Sequence, residues 1–360
     1  MMRQPKYQVL QSENHHTDDD FFDDVLGMFP DASGYAPKAG RCGKYVYESE
    51  NWGDFISHSD NYYPPQGDLA LIQTAIREID KWGVPLGTPY IDLGAGGAAS
   101  FKRYALPVMK GLESTQYTGV DFAENALREI QALKPELAEH TEIKTEKMDL
   151  FFPTNKVIAK TEPALGVMNG LTLGNMDGSL SDQNVDVNLA TALKYLSQLC
   201  GHGWLLLTID TNQDEASLRK AYVNPSNSHL CLSILSRVAR ELPVKNFDPT
   251  SFRYDVEFHP DLHLLANLAV ATKTQDFKLG PYPIHVQEGQ KIHLSNSYKF
   301  NRKFFESSCR IANLSTVKYW KHETGMMLYL LRDNLCPVPL MYPTKKTHAH
   351  IPLQKLEYIS

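Results

Sequence analysis

The chain has 360 residues, 42% of them hydrophobic and 22% charged, and a formal net charge of −6. That composition belongs to an ordinary globular protein of two domains, or of one large domain with an insertion. It excludes a global basic field for holding nucleic acid or an anionic membrane. The longest apolar runs, 204–209 and 326–331, are strand-sized and too short to span a bilayer. No basic stretch leading into an apolar one opens the chain, so no secretory signal is expected. The cysteines (Cys42, Cys200, Cys231, Cys309, Cys336) are odd in number, scattered and never spaced as CxxC. This argues against a disulfide framework or a zinc site and fits a reducing, cytoplasmic setting.

Residues 1–40 read as irregular. Their acidic cluster at 18–24 is best explained as a helix start, with Thr17 as cap and carboxylates facing the dipole. Apolar spacing predicts a helix over 68–81 (Leu69, Ile72, Ala75, Ile76, Ile79). A short apolar strand, Ile91-Asp92-Leu93, then runs into Gly94-Ala95-Gly96-Gly97 and a helix over 101–109. Strands follow at 116–121, 141–148, 164–168 and 204–210, with helices at 124–133 and 187–199 between them. This alternation predicts an α/β fold with a helix-flanked parallel sheet. After Asp210 the pattern changes: helices at 215–222 and 230–242, then strand-like alternation at 254–258, 262–271 and 291–297. A helix at 303–311 and a hairpin of 315–320 with 326–331 resume the first pattern. Residues 333–360, rich in proline and polar groups, read as a surface tail.

A glycine turn between strand and helix lets backbone approach a ligand and aims N–H groups at it. Gly94-Ala95-Gly96-Gly97 sits at such a turn but lacks the full GxGxxG spacing, because Ala99 occupies the last glycine position. Alone, it is equally the signature of any tight turn. Asp121 ends the next strand, where a carboxylate can accept from both ribose hydroxyls, and Asp149 ends the third, where it could meet an adenine amino group. Asp92 adds a charge better suited to a cationic cofactor than to a pyrophosphate. Together these point to S-adenosylmethionine (SAM) rather than NAD.

Three segments carry a resemblance. They are Tyr62-Tyr63-Pro64, the run Asn169-Gly170-Leu171-Thr172-Leu173-Gly174-Asn175-Met176 after the fourth strand, and Ile292-His293-Leu294-Ser295-Asn296-Ser297-Tyr298-Lys299-Phe300. From about Tyr45 to Arg332 the chain resembles the histidine Nα-methyltransferases of the ergothioneine pathway and their relatives, including the fungal dimethylallyltryptophan N-methyltransferases. The resemblance implies a Rossmann-like class I SAM-dependent methyltransferase core (68–210 and 299–332). An inserted α+β substrate-binding lid (211–298, joined by 41–67) would cover it. It further implies SAM contacts from Gly94, Gly96, Asp121 and Asp149, with Gly170 at the same end. Asn175 would hold the carboxylate of an amino-acid-like substrate, assisted by Tyr62 and Tyr222. Tyr47 would hold the amine, Thr172 would complete that end, and Ser297 would face the substrate side chain. Without the resemblance, Asn175 reads as a turn residue and the three tyrosines as packing residues.

Two departures bear on the substrate. Histidine enzymes of the family carry a glutamate where Ser295 stands, and a methionine where Ala266 is aligned. Losing the acid leaves an imidazole N–H unpaired, which costs on the order of one to three kcal/mol. The expected reaction is therefore N-methylation of the α-amino group of a free amino acid or amino-acid-derived metabolite other than histidine. One alternative is methylation of a side-chain nitrogen, with Asp210 or Asp214 as acidic partner; the other is a SAM-binding protein without turnover. The histidine pairs at 15–16 and 348/350 lack carboxylate or cysteine partners, so no metal site is expected. The partner is a small molecule, neither nucleic acid nor membrane.

Overall fold

The computed structural model describes residues 18–30, 36–46, 61–151, 157–159, 162–177 and 184–338. Tyr47, both histidine pairs and the segment beyond 338 lie outside these. In chain order the helices are α1 (Asp18–Met28), α2 (Gly43–Val46), α3 (Pro64–Ile76), α4 (Gly97–Ser100), α5 (Leu106–Gly111) and α6 (Glu124–Ala132). They continue with α7 (Val185–Leu199), α8 (Glu215–Tyr222), α9 (Pro225–Glu241) and α10 (Arg302–Ile311). The first strands are β1 (Tyr90–Leu93), β2 (Gln116–Asp121), β3 (Glu142–Lys147), β4 (Leu165–Met168) and β5 (Trp204–Asp210). Then come β6 (Val244–Lys245), β7 (Phe252–His259), β8 (Leu264–Ala271), β9 (Gln275–Leu279), β10 (Tyr282–Val286) and β11 (Lys291–Tyr298). The last pair is β12 (Leu314–Lys321) and β13 (Met326–Asp333).

A seven-stranded sheet of order β12-β13-β5-β4-β1-β2-β3 forms the core. β1 to β5 pair in parallel, whereas β13 runs antiparallel to both β5 and β12. β1, β4 and β5 are buried along their whole length, as central parallel strands covered on both faces must be, and they read as near-continuous apolar runs. At the edge, β3 alternates and exposes Glu142, Lys144 and Lys147, charges that blunt a pairing edge. Leu189, Leu193 and Leu196 of α7 pack with Phe305 and Cys309 of α10 in the apolar layer on one face. Leu71, Ile72 and Ala75 of α3 join Val108 and Met109 of α5 in the layer on the other.

Between β5 and α10 the chain builds two antiparallel sheets, β11-β8-β7 and β10-β9-β6. Phe21, Val25 and Met28 of α1 share an apolar core with Ile234, Leu235 and Val238 of α9 and with Ala269, Phe277 and Leu294. The fold is thus a Rossmann-like α/β core carrying an inserted α+β unit. The acidic helix start is a real helix, but one of its acids differs from the expectation. Asp24 is buried, accepts the Tyr45 hydroxyl at 2.8 Å and pairs with Lys38 and Lys44 at 3.1 and 3.3 Å.

Candidate active site

Every strand end that faces the core cavity is finished by a tight turn. After β1 the chain passes through Gly94, Gly96 and Gly97 with φ of 90°, 63° and 88°, a left-handed path that costs side-chain-bearing residues dearly. Gly94 and Ala95 donate to the Val120 carbonyl at 2.8 and 3.1 Å, which pins the turn to β2. Asp121 then locks it: one carboxylate oxygen accepts from Gly96 N at 2.9 Å and the other from Ala123 N at 2.8 Å. Burial holds the Asp121 carboxyl above the usual carboxylate range, against the pull of the Ala123, Gly96 and Phe122 amides. Asp149, beyond β3, accepts from Phe151 N at 3.0 Å and from the Lys44 ammonium at 3.1 Å.

These turns enclose a cavity of about 390 Å³, whose lining includes Gly94, Gly96, Asp121, Asp149, Asn169, Gly170, Thr172 and Asn175. Its size lies in the range of small-molecule sites. Asn169 lines it with a buried Oδ1 that has no partner among the described residues, an acceptor waiting for a ligand N–H. The cavity therefore fits a nucleoside with an amine-bearing arm, which is the chemistry of SAM.

A second, smaller cavity of about 60 Å³ adjoins it under the inserted unit. Tyr62, Tyr222, Tyr254, Asn267, Ser295 and Ser297 all contribute to its wall. Gly43, Gly170 and Asn175 line both cavities and so mark where they meet. The shared loop is held from below. Gly170 N donates to Asp68 at 2.9 Å, and Thr208 donates to the other oxygen of the same carboxylate. Asp68 is fully buried, and desolvation raises its carboxyl to about 6. Leu171 follows at φ 61°, a strained setting for a leucine, before the 3₁₀ turn Thr172–Asn175.

Most expected site residues within the described chain gather here; Asp92 and Ala266 do not. Asp92 lines neither cavity: it is buried, accepts the Tyr117 hydroxyl at 2.9 Å, and desolvation raises its carboxyl to about 7. Thr172 lies in the larger cavity against Gly94, and its hydroxyl donates to the Asn169 carbonyl at 2.9 Å, which leaves its lone pairs turned to the donor end. Ala266 packs with Leu268 and Val270 on the opposite face of β8, because side chains alternate along a strand. Its neighbour Asn267 is the residue that lines the cavity, accepting the Tyr254 hydroxyl at 2.6 Å and donating to the Ser295 carbonyl at 3.3 Å. A single polar residue in the apolar run Leu264–Ala271 was the available signal for it. Asp68 and Asn169 had no comparable signal.

The acids considered for a side-chain acceptor are engaged elsewhere. Asp210 is fully buried, bonded to the Tyr63 hydroxyl and to Lys299 at 3.2 Å. Asp214 caps α8, accepting from Ser217 N at 2.7 Å. Neither lines the cavities.

Residues 44–333 match the family of histidine-specific, SAM-dependent methyltransferases. The chain belongs to that family. Its cofactor is SAM, and it is a methyltransferase. Among similar proteins, the uncharacterized protein y4iF of Sinorhizobium fredii is 28% identical over 68% of this chain and 81% of its own. The N-methyltransferase imqF of Aspergillus flavus is 23% identical over 75% of this chain and 74% of its own. The N-methyltransferase fsqC of Aspergillus fumigatus is 24% identical over 77% and 76%.

Proposed function

We propose that this enzyme transfers a methyl group from SAM to the α-amino nitrogen of a free amino acid, or of a metabolite derived from one, other than histidine. The observation that carries this reading is the junction of the two cavities at Gly43, Gly170 and Asn175. A donor-sized space meets a smaller one, of mixed apolar and polar lining, at a neck with an asparagine amide in it. The names of two relatives, both N-methyltransferases, support nitrogen as the acceptor.

SAM, when bound, supplies an electrophilic methyl group. The chain's own task is alignment and protonation state. Asn175, Tyr62 and Tyr222 are suited to grip a carboxylate by donating N–H and O–H bonds, leaving the amine at the neck. Tyr47, outside the described residues, is proposed to accept an amine N–H, which fits a neutral nitrogen with its lone pair turned to the donor cavity.

Exclusion of histidine rests on the lining of the smaller cavity. Ser295 stands there, and among its described residues no aspartate, glutamate, lysine, arginine or histidine contributes. An imidazole would lose its acidic partner. The test is a mass-spectrometric panel of the twenty L-amino acids and their common derivatives with purified enzyme and SAM. At least one amino acid other than histidine gains methyl groups and histidine does not. A panel in which histidine alone is methylated would overturn the reading.

A further inference from the structure

Behind the smaller cavity lies a cation that the reading above does not use. Lys299, one residue past the end of β11, is fully buried. Its ammonium reaches three oxygens: the Tyr222 hydroxyl at 2.6 Å, Ser297 Oγ at 2.9 Å and Asp210 Oδ2 at 3.2 Å. It also lies 4.4 Å from the centroid of the Tyr222 ring. A lysine ammonium has three donors and no lone pair, so all three contacts run outward from nitrogen. Asp210 balances its charge from the side of the core and is itself held by the Tyr63 hydroxyl.

The consequence falls on the two hydroxyls. Each accepts from Lys299 and must give its own proton elsewhere. Ser297 Oγ lies 3.2 Å from the Tyr222 oxygen and can donate to it. Tyr222 then accepts from a charged donor and from a hydroxyl, and successive bonds of this kind polarise the last O–H in the series. Tyr222 and Ser297 both line the substrate cavity.

We propose that Lys299 is a positioning residue that, directly and through the Ser297 hydroxyl, fixes Tyr222 as a hydrogen-bond donor toward the substrate and so selects an anionic acceptor, the α-carboxylate. The inference rests on the reading of the substrate as an amino acid. It adds that the carboxylate is required and that the requirement is set from beneath the cavity by the Lys299–Asp210 pair. Charge-assisted bonds of this kind are the stronger ones, so a neutral carboxamide is a poor replacement.

The experiment compares kcat/KM for each L-amino acid found to be methylated with that for its carboxamide, in the wild type, in Lys299→Met and in Lys299→Met/Asp210→Asn. The double variant removes both members of the buried pair, so no uncompensated charge is left inside. Calorimetric binding of SAM reports that each variant is folded. The wild type prefers the carboxylate roughly tenfold or more. In the variants that preference falls to within roughly threefold while SAM still binds, with the loss mainly in KM. A folded double variant that keeps the full preference overturns the proposal, as does a wild type that takes acid and amide equally. Failure of every amino acid and every amide to be methylated overturns the amino-acid reading itself, and the carboxylate requirement with it.

Discussion

Asp92, Asp121 and Asp149 end or nearly end adjacent strands, yet their electrical settings differ. Asp121 faces the donor cavity and is held by backbone amides, and Asp149 is met by Lys44. Among the described residues, Asp92 has only the Tyr117 hydroxyl, at 2.9 Å, against full burial. With its carboxyl raised to about 7, Asp92 carries its proton more readily folded than unfolded, so ionisation opposes folding. Its contribution to stability is present below the unfolded pKa and is lost as pH rises through about 7. An Asp92→Asn variant, which keeps an acceptor for Tyr117, is therefore expected to melt above the wild type at about pH 8, with the gap narrowing as pH falls and closing only below about pH 4. The difference at the alkaline end is on the order of a few kcal/mol at most. Thermal melts of SAM-free protein across that range check this, and a gap independent of pH contradicts it. Strand position alone indicated that Asp92 was special but not which way it turned. Ala266 and Asn267 repeat the lesson, since a shift of one residue moves a side chain to the other face of the sheet.

At the scale of elements, apolar periodicity located the parallel strands and most helices, because burial on both faces or on one stripe writes itself into the chain. β2, at 116–121, and α8, at 215–222, match expectation to the residue. Helix starts fared worse where caps and prolines decide them. α3 begins at Pro64 rather than 68, and α9 at Pro225 behind the Asn224 cap rather than at 230. β9 and β10 were missed: their outward positions are polar and their apolar ones few, with Phe277, Leu279, Ile284 and Val286 turned into the core of the inserted unit. The 3₁₀ turn carrying Asn175 depends on one glycine whose role the sequence did not advertise. A Cβ on Gly174 would stand 3.1 Å from the Tyr298 carbonyl oxygen and 3.5 Å from its nitrogen, so the backbone of β11 would have to move. Gly174→Ala is expected to lose roughly one to three kcal/mol in denaturant unfolding. It should also raise KM for the amino acid more than it weakens SAM, because the smaller cavity sits between that turn and β11. Unchanged stability and KM would show that the contact relaxes freely.

For the whole molecule, the decisive feature is a seam. The core supplies Gly94, Asp121 and Asn175, and the inserted unit supplies Tyr222, Ser295 and Ser297. The segment at 36–46 fastens one to the other through Lys44 with Asp149 and Arg41 with Asp177, at 3.1 and 3.5 Å. The parts were legible in the sequence as motifs in order. Their meeting was not, because Gly43 lies far along the chain from the turn that carries Gly170 and Asn175, and Lys299 meets Tyr222 across a sequence separation of 77 residues. The central claim is that the seam presents an α-amino nitrogen to the donor cavity. Its most direct test is tandem mass spectrometry of the product formed with trideuteromethyl-SAM from the amino acid the enzyme accepts. The account predicts loss of deuterium-labelled methylamine from the α-carbon. Loss of unlabelled ammonia, with the label retained on the side chain, would contradict it.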